Sequence, residues 1–305
     1  MNEKDGGKTA GFTSEWGLYV AGQTLWFQAA DPSRVALEPP GQNGFTVYKG
    51  AEDQLSPAFS HHINLTVEDE IWQADREWGT AIHRNQVWEL WQDDDANLVL
   101  LNPSQPVKRR VVIHPGFTSG KVYGAFSEKQ HGRHVALPEE LQIVLFVNWL
   151  ANSGDIILHA CGIRFGDKGY AFLGDSGAGK STLAGRLAQA PDIRVLGEDQ
   201  VVLRCIAGEF WIFGTPWHFN QGLCSPEGAR LERLFFIEKT GTEGVQTLAP
   251  LEGVKKILQT AFIPYYRTQT LEGILSQLEV LSRAVVFNSF SFTLESRVQD
   301  LVARQ

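Results

Sequence analysis

Residues 174–182 read Gly-Asp-Ser-Gly-Ala-Gly-Lys-Ser-Thr. This stretch fits G-x-x-x-x-G-K-[ST], the phosphate-binding loop pattern, and constrains the chain more than any other. Gly174, Gly177 and Gly179 let the backbone turn tightly with no Cβ in the way. The N–H groups of Asp175, Ser176, Ala178 and their neighbours then point inward and form a concave anion site. Lys180 is placed to reach the outer phosphates of a nucleotide, and the Ser181 hydroxyl is suited to Mg²⁺. The run from Thr182 to Ala188 has helical spacing, so a helix N-terminus should aim its positive end at the phosphates. The expected ligands are ATP or another purine nucleotide, with Mg²⁺. The competing interpretation is a glycine-rich turn that binds nothing.

The flanks say which sheet carries the loop. Gly169-Tyr-Ala-Phe-Leu173 is a short apolar run of strand type, so the order is strand, loop, helix. Asp155 to Ile163 also reads as a strand, and Phe165 to Gly169 supplies turn residues between the two. The loop strand is therefore expected to be the second arm of a hairpin, antiparallel to its neighbour. A parallel neighbour would need a crossover of about a dozen residues.

Past the loop helix, Pro191 forces a stop. Ile193 to Leu196 and Val201 to Arg204 read as strands, and Gly197-Glu198-Asp199 lies at the break between them. One helix, a turn and one strand separate Lys180 from Asp199, enough to return both acids to the phosphates. Taken without the loop, the pair is a solvated polar turn.

His159, the loop and Glu198-Asp199 together resemble the catalytic core of HPr kinase/phosphorylase. A histidine precedes the loop by fifteen residues in that family, as His159 precedes Gly174 here. Phosphoenolpyruvate carboxykinase shares the fold more distantly. The resemblance covers roughly residues 155–220. It implies an α/β fold, a mixed sheet of the HPr kinase C-terminal-domain and phosphoenolpyruvate carboxykinase type with its phosphate loop, behind a β-rich N-terminal region. It further implies Lys180 on the phosphates, Ser181 and Asp199 on Mg²⁺, Glu198 as base for an acceptor hydroxyl, and His159 beside that base. Glu198 departs from the family, which has Asp there. The glycine-rich C-terminal signature linked to phosphorylase activity is not found. From residue type alone, a lone strand histidine is more often a hydrogen-bonded core residue.

Composition excludes several classes. The net charge of −8 disfavours nucleic acid as a partner. Lys108-Arg109-Arg110, the one tight basic cluster, is expected to be a solvated strand end. Cys161, Cys205 and Cys224 have no C-x-x-C spacing, which speaks against a disulfide framework or zinc site and for a reducing compartment. The N-terminus lacks the apolar core of a signal peptide, and Leu141 to Ala151 is too short and polar to span a bilayer. A cytoplasmic protein with no membrane partner is expected.

The remainder divides into two parts, 1–135 and 136–305. Residues 1–12 should be flexible, and Pro39-Pro40-Gly41 marks a loop. Strand character runs from Trp16 to about Tyr123, with a hairpin at Asp93-Asp94-Asp95-Ala96. Six of nine tryptophans lie before residue 100, either filling a β core or forming an acceptor-binding surface. Leu137-Pro138-Glu139-Glu140 starts a helix expected to reach Asn152 and join the parts. Phe213-Gly-Thr-Pro-Trp-His-Phe219 is either a structural turn or the mouth of the site, with Trp217 or His218 near the acceptor. Arg230 or Arg233 is a candidate for neutralising transition-state charge. Helices near 250–262 and 270–283 and a late strand from Phe287 are expected to be packing elements.

The function expected is phosphoryl transfer from a nucleotide to a hydroxyl, most plausibly a serine of a peptide or protein, including a natural-product precursor peptide. A small hydroxylated metabolite is the alternative acceptor, and residues 1–135 would recognise the acceptor. The rivals are a non-catalytic nucleotide-binding module and a motor-type ATPase. An oligomer is compatible with all of these.

Overall fold

The computed structural model describes residues 15–33, 35, 37, 44–49, 61–71, 77–105, 107–126, 135–217, 223–293 and 295–304. Residues 1–12, the Pro39–Gly41 loop and His218 lie outside them.

Among the described residues, nine strands precede the first helix: β1 (Glu15–Val20), β2 (Gln23–Ala29), β3 (Thr46–Tyr48), β4 (His61–Asp69), β5 (Thr80–Arg84), β6 (Glu89–Gln92), β7 (Leu98–Leu101), β8 (Arg110–Ile113) and β9 (Ser119–Gly124). They form one sheet in the order β3-β1-β2-β4-β9-β8-β7-β6-β5. Local hairpins set both flanks. Ala21 and Gly22 have φ of 54° and 80°, the left-handed pair that lets β1 turn directly into β2. Asp93 ties the β6–β7 turn by accepting from the N–H groups of Asp95 and Asn97, as the acidic run suggests. The middle is parallel: β2 pairs with β4, and β4 with β9. Alternation along β4, with Ile63, Leu65 and Val67 buried, gives this sheet one core face.

Helix α1 (Glu139–Ala151) follows, with Asn152 as its C-cap. Acids in its first turn suit the helix dipole, and nine buried residues pack it between the two parts. Leu141, Leu145, Phe146 and Trp149 share one buried cluster with Leu18, Leu25 and Ile63 of the first sheet and with Ile157, Val202 and Trp217 of the second part. The parts therefore share a core.

The second part contains β10 (Ile156–Phe165), β11 (Lys168–Leu173), α2 (Lys180–Leu187), β12 (Ile193–Gly197), β13 (Gln200–Ile206), β14 (Glu209–Gly214), β15 (Gly228–Ile237), β16 (Gly244–Thr247), α3 (Pro250–Thr260), β17 (Ala261–Phe262), α4 (Thr268–Ala284), β18 (Val286–Ser291) and α5 (Val298–Ala303). Strands β10 and β11 form the antiparallel hairpin expected from their short turn. Pairing then runs β11-β10-β13-β14-β15-β18-β16, and β11 also pairs in parallel with β15. Five strands thus close into a ring. The whole is a mixed α/β structure with two large sheets and few helices.

One expectation fails in the first part. Arg109 is not a solvated strand end but is 4% exposed. Its guanidinium donates to the carbonyls of Val135, Ala136 and Lys108 and lies over the Phe126 ring. Burial lowers its pKa to about 10. Backbone carbonyls at the entrance to α1 need donors, and Arg109 satisfies them from a neighbouring strand end.

Candidate functional site

The loop leaves the end of β11 and enters α2 at Lys180. Gly177 and Gly179 have φ of +77° and +107°, so only glycine sits there without strain. A Cβ on Gly174 would stand 2.8 Å from the Ala178 side chain, so the loop doubles back closely on itself. Nothing lies within 4 Å of the corresponding point on Gly177, where the turn opens outward. Gly179 caps α2 without any side-chain cap, leaving the first-turn N–H groups directed at the loop. Asp175, Ser176, Ser181 and Thr182 are exposed. Lys180 is buried, and its ammonium donates to the carbonyls of Gly174 and Asp175 at 2.7 and 3.2 Å.

Glu198 and Asp199 occupy the two-residue break between β12 and β13. Both strands run antiparallel to β10, and the break falls between the Gly162–Gly197 and His159–Gln200 pairs. The acids therefore face β10, the partner of the loop strand. Burial lowers the Lys180 pKa, and the Asp199 and Asp175 carboxylates hold it up. Burial pushes the Cys161 thiol up to about 12, with Glu198 adding to the rise and Lys180 opposing it. Lys180, Asp199, Glu198 and Cys161 thus act on one another electrostatically, although 38 residues separate Cys161 from Asp199 in the chain.

The two acids differ. Glu198 is 3% exposed, whereas the Asp199 side chain is 30% exposed. His159 Nε2 lies 2.9 Å from Asp199 Oδ1. The imidazole contact is thus with Asp199, where the expectation had set His159 beside Glu198. Glu198 and Asp199 lie in a bend, and the Asp199 carboxylate is the one that reaches the imidazole.

Two further expectations change. Trp217 is 1% exposed, donates Nε1–H to Gln142 of α1 at 3.0 Å and packs edge-on to Phe146. It belongs to the shared core and not to a site mouth. The segment is apolar enough to be buried, and α1 offers the acceptor that an indole N–H needs. Arg230 pairs across the sheet with Lys168, at the end of β11 remote from the loop, and its guanidinium meets Glu209. Arg233 pairs with Tyr170, still short of the loop end. Arg230 is thus held away from the loop by Glu209, and Arg233 donates to Asn288 of β18 at 3.4 Å.

No protein-family model matches this chain, and no curated protein matches it. Among solved structures, the Hpr(Ser) kinase/phosphatase from Coxiella burnetii aligns over 48% of this chain and 86% of that one, at 11% identity and a TM-score of 0.28. The site is therefore read from this chain's own residues.

Those residues fit a nucleotide and a divalent cation. Among the described residues, no cluster of three or more His, Cys, Asp or Glu side chains is arranged to hold a metal ion. Mg²⁺ does not require one, since it keeps waters and takes phosphate oxygens beside one or two protein ligands. Ser181 and Asp199 would be those ligands.

Two further residues shape this region and carry little mark in the sequence. Arg186, in the last turn of α2, donates to the Thr293 carbonyl at 2.8 Å and to the Ser296 carbonyl. Arg204 donates to Asp155 at 2.8 Å and to the Ala21 carbonyl at 2.5 Å, joining β13 to the β1–β2 turn. A single charge within the otherwise apolar run of β13 is the local hint of Arg204, and nothing local marks Arg186.

Proposed function

We propose that this chain transfers the terminal phosphoryl group of a purine nucleotide to a hydroxyl. The observation that supports it is the placement of the Glu198-Asp199 break beside Lys180, at the end of the loop strand. A module that only binds nucleotide has no use for a second, buried carboxylate there. The motif resemblance to HPr kinase/phosphorylase points the same way.

Lys180 and the loop N–H groups neutralise the phosphates, and their fixed positions supply most of the catalysis. Mg²⁺, bound by Ser181 and Asp199, adds charge neutralisation when present. His159 orients Asp199. Glu198 accepts the acceptor's proton as the new O–P bond forms, while the bond from the γ-phosphorus to the bridging oxygen breaks and nucleoside diphosphate leaves. A serine of a peptide or protein is the preferred acceptor, with a small hydroxylated metabolite as the other candidate, and the first sheet would recognise it.

A second assignment of the base rests on the 2.9 Å contact between His159 and Asp199. A carboxylate that orients an imidazole leaves the other ring nitrogen to take the proton, which makes His159 the base.

Incubation with γ-labelled ATP and candidate peptides or a metabolite pool, followed by mass spectrometry, finds the acceptor. With that acceptor, Glu198→Gln should lower transfer roughly 10²–10⁴-fold while nucleotide affinity stays near wild type. A wild-type rate in Glu198→Gln, with the loss appearing in His159→Gln, moves the base to His159. If both variants transfer at the wild-type rate, phosphoryl transfer at this site is refuted.

A further inference from the structure

Strands β11, β15 and β18 are parallel neighbours. Their carboxyl ends therefore share one edge, the side of such a sheet where ligands seat. β11 runs into the glycine-rich loop at that edge. β18 ends at Ser291, so Phe292 is the first residue past it.

The Phe292 ring packs against the loop. Its Cζ lies 3.3 Å from the point where a Cβ on Gly179 would stand. The ring is half-buried, with its inner side tilted against Phe290 at a centroid distance of 5.9 Å. Phe290 in turn meets Phe172 of the loop strand and Phe235 of β15 edge-on.

Arg186 ties the carbonyls of Thr293 and Ser296 to α2, the same helix that begins at Lys180. Ser296 Oγ accepts from Thr293 N–H at 2.8 Å, and Thr293 Oγ1 from Glu295 N–H at 3.3 Å. Phe292 and the loop are consequently two parts of one braced unit. A loop of this type grips phosphates alone and offers nothing flat or apolar to the rest of a nucleotide. A partly exposed aromatic ring at its last glycine supplies that surface.

We propose that Phe292 is the stacking platform for the base of the bound nucleotide. The proposal rests on the reading that residues 174–182 bind nucleotide, and it adds the residue that makes a nucleoside preferable to bare polyphosphate. Every base has a π-face, so the platform favours a base without choosing between adenine and guanine.

Calorimetric titration of ATP and of inorganic tripolyphosphate, each with Mg²⁺, tests this on the full chain. Wild type should bind ATP more tightly than tripolyphosphate. Phe292→Ala should lose roughly 5–150-fold in ATP affinity, the range for removing one base–aromatic stack, and keep its tripolyphosphate affinity. Phe292→Leu, which preserves the packing against Phe290 without a π-face, should show the same selective loss, and Phe292→Trp should retain ATP binding. Unchanged ATP affinity in both Ala and Leu variants overturns the proposal. Equal loss of both ligands also overturns it, because the ring would then only brace the loop. If wild type binds neither ligand, the nucleotide reading itself falls, and that result is distinct from the other two.

Discussion

Three adjacent parallel strands occur twice in this chain, and the two sets end differently. In the first sheet they are β2, β4 and β9, and in the second they are β11, β15 and β18. At the carboxyl edge of the first set, Arg109 fills the space beside Gly124, where a Cβ would stand 2.6 Å from its Nη1. Its guanidinium is spent on the carbonyls that lead into α1, and Asp69 caps the Phe126 N–H at 2.9 Å. Among the described residues, that edge is filled by Arg109. At the same edge of the second set, the chain turns outward through Gly177, and exposed hydroxyls and acids surround a buried lysine. Parallel pairing creates an edge where a ligand can sit, and the residues that follow the strands decide whether it stays open.

The strut that joins the two halves is where a substitution should cost most. Arg204→Leu leaves the Asp155 carboxylate buried without its cation, and should cost about 3–5 kcal/mol of stability at neutral pH. Burial already holds the Asp155 carboxyl above its ordinary value, with Arg204 pulling the other way. A carboxyl whose folded pKa is raised stabilises the fold below its unfolded pKa, and this contribution is lost as pH rises through the folded value. The deficit of Arg204→Leu should therefore shrink as pH falls toward the unfolded carboxyl range, in urea unfolding followed by fluorescence. A deficit that grows on acidification would contradict this account of the strut.

A second change addresses the open edge alone. Lys180→Met keeps the buried stem but removes the ammonium, and should weaken ATP binding by about 1.5–3 kcal/mol, the worth of a charged hydrogen bond. Unfolding midpoints should move little. Equal ATP affinity in wild type and variant would mean that this edge is no more a phosphate site than the filled one.

The smallest effect is expected at the filled edge. Arg109→Met preserves bulk against Phe126 but strips the donors from Val135 and Ala136, at about 1–3 kcal/mol for a buried group left unpaired. Nucleotide affinity should be untouched. A loss of nucleotide binding in this variant would show that the two edges are coupled and that their division of labour is drawn too sharply.

Much of the site was legible in local sequence. Glycines at 174, 177 and 179 announce a turn with positive φ, and two glycines have it. The short turn before Gly169 required the antiparallel hairpin, and the Asp93–Ala96 run required another. Proline and two acids marked the start of α1. The crossovers that make β2, β4 and β9 parallel left no comparable mark, because they pair residues far apart with no turn between them. The fate of the aromatics was equally hidden, since Trp217 is core because α1 happens to cover it.

Local sequence dictates where the chain turns, where helices begin and where the glycine-rich loop lies, because those features depend on neighbours a few positions away. Only the tertiary structure decided partners. It gave His159 to Asp199, Arg109 to the entrance of α1, Arg204 to Ala21 and Phe292 to Gly179. Each of these contacts joins groups far apart in the chain, whose meeting depends on strand register across a sheet or on how two sheets pack, and a local pattern of residue types contains neither.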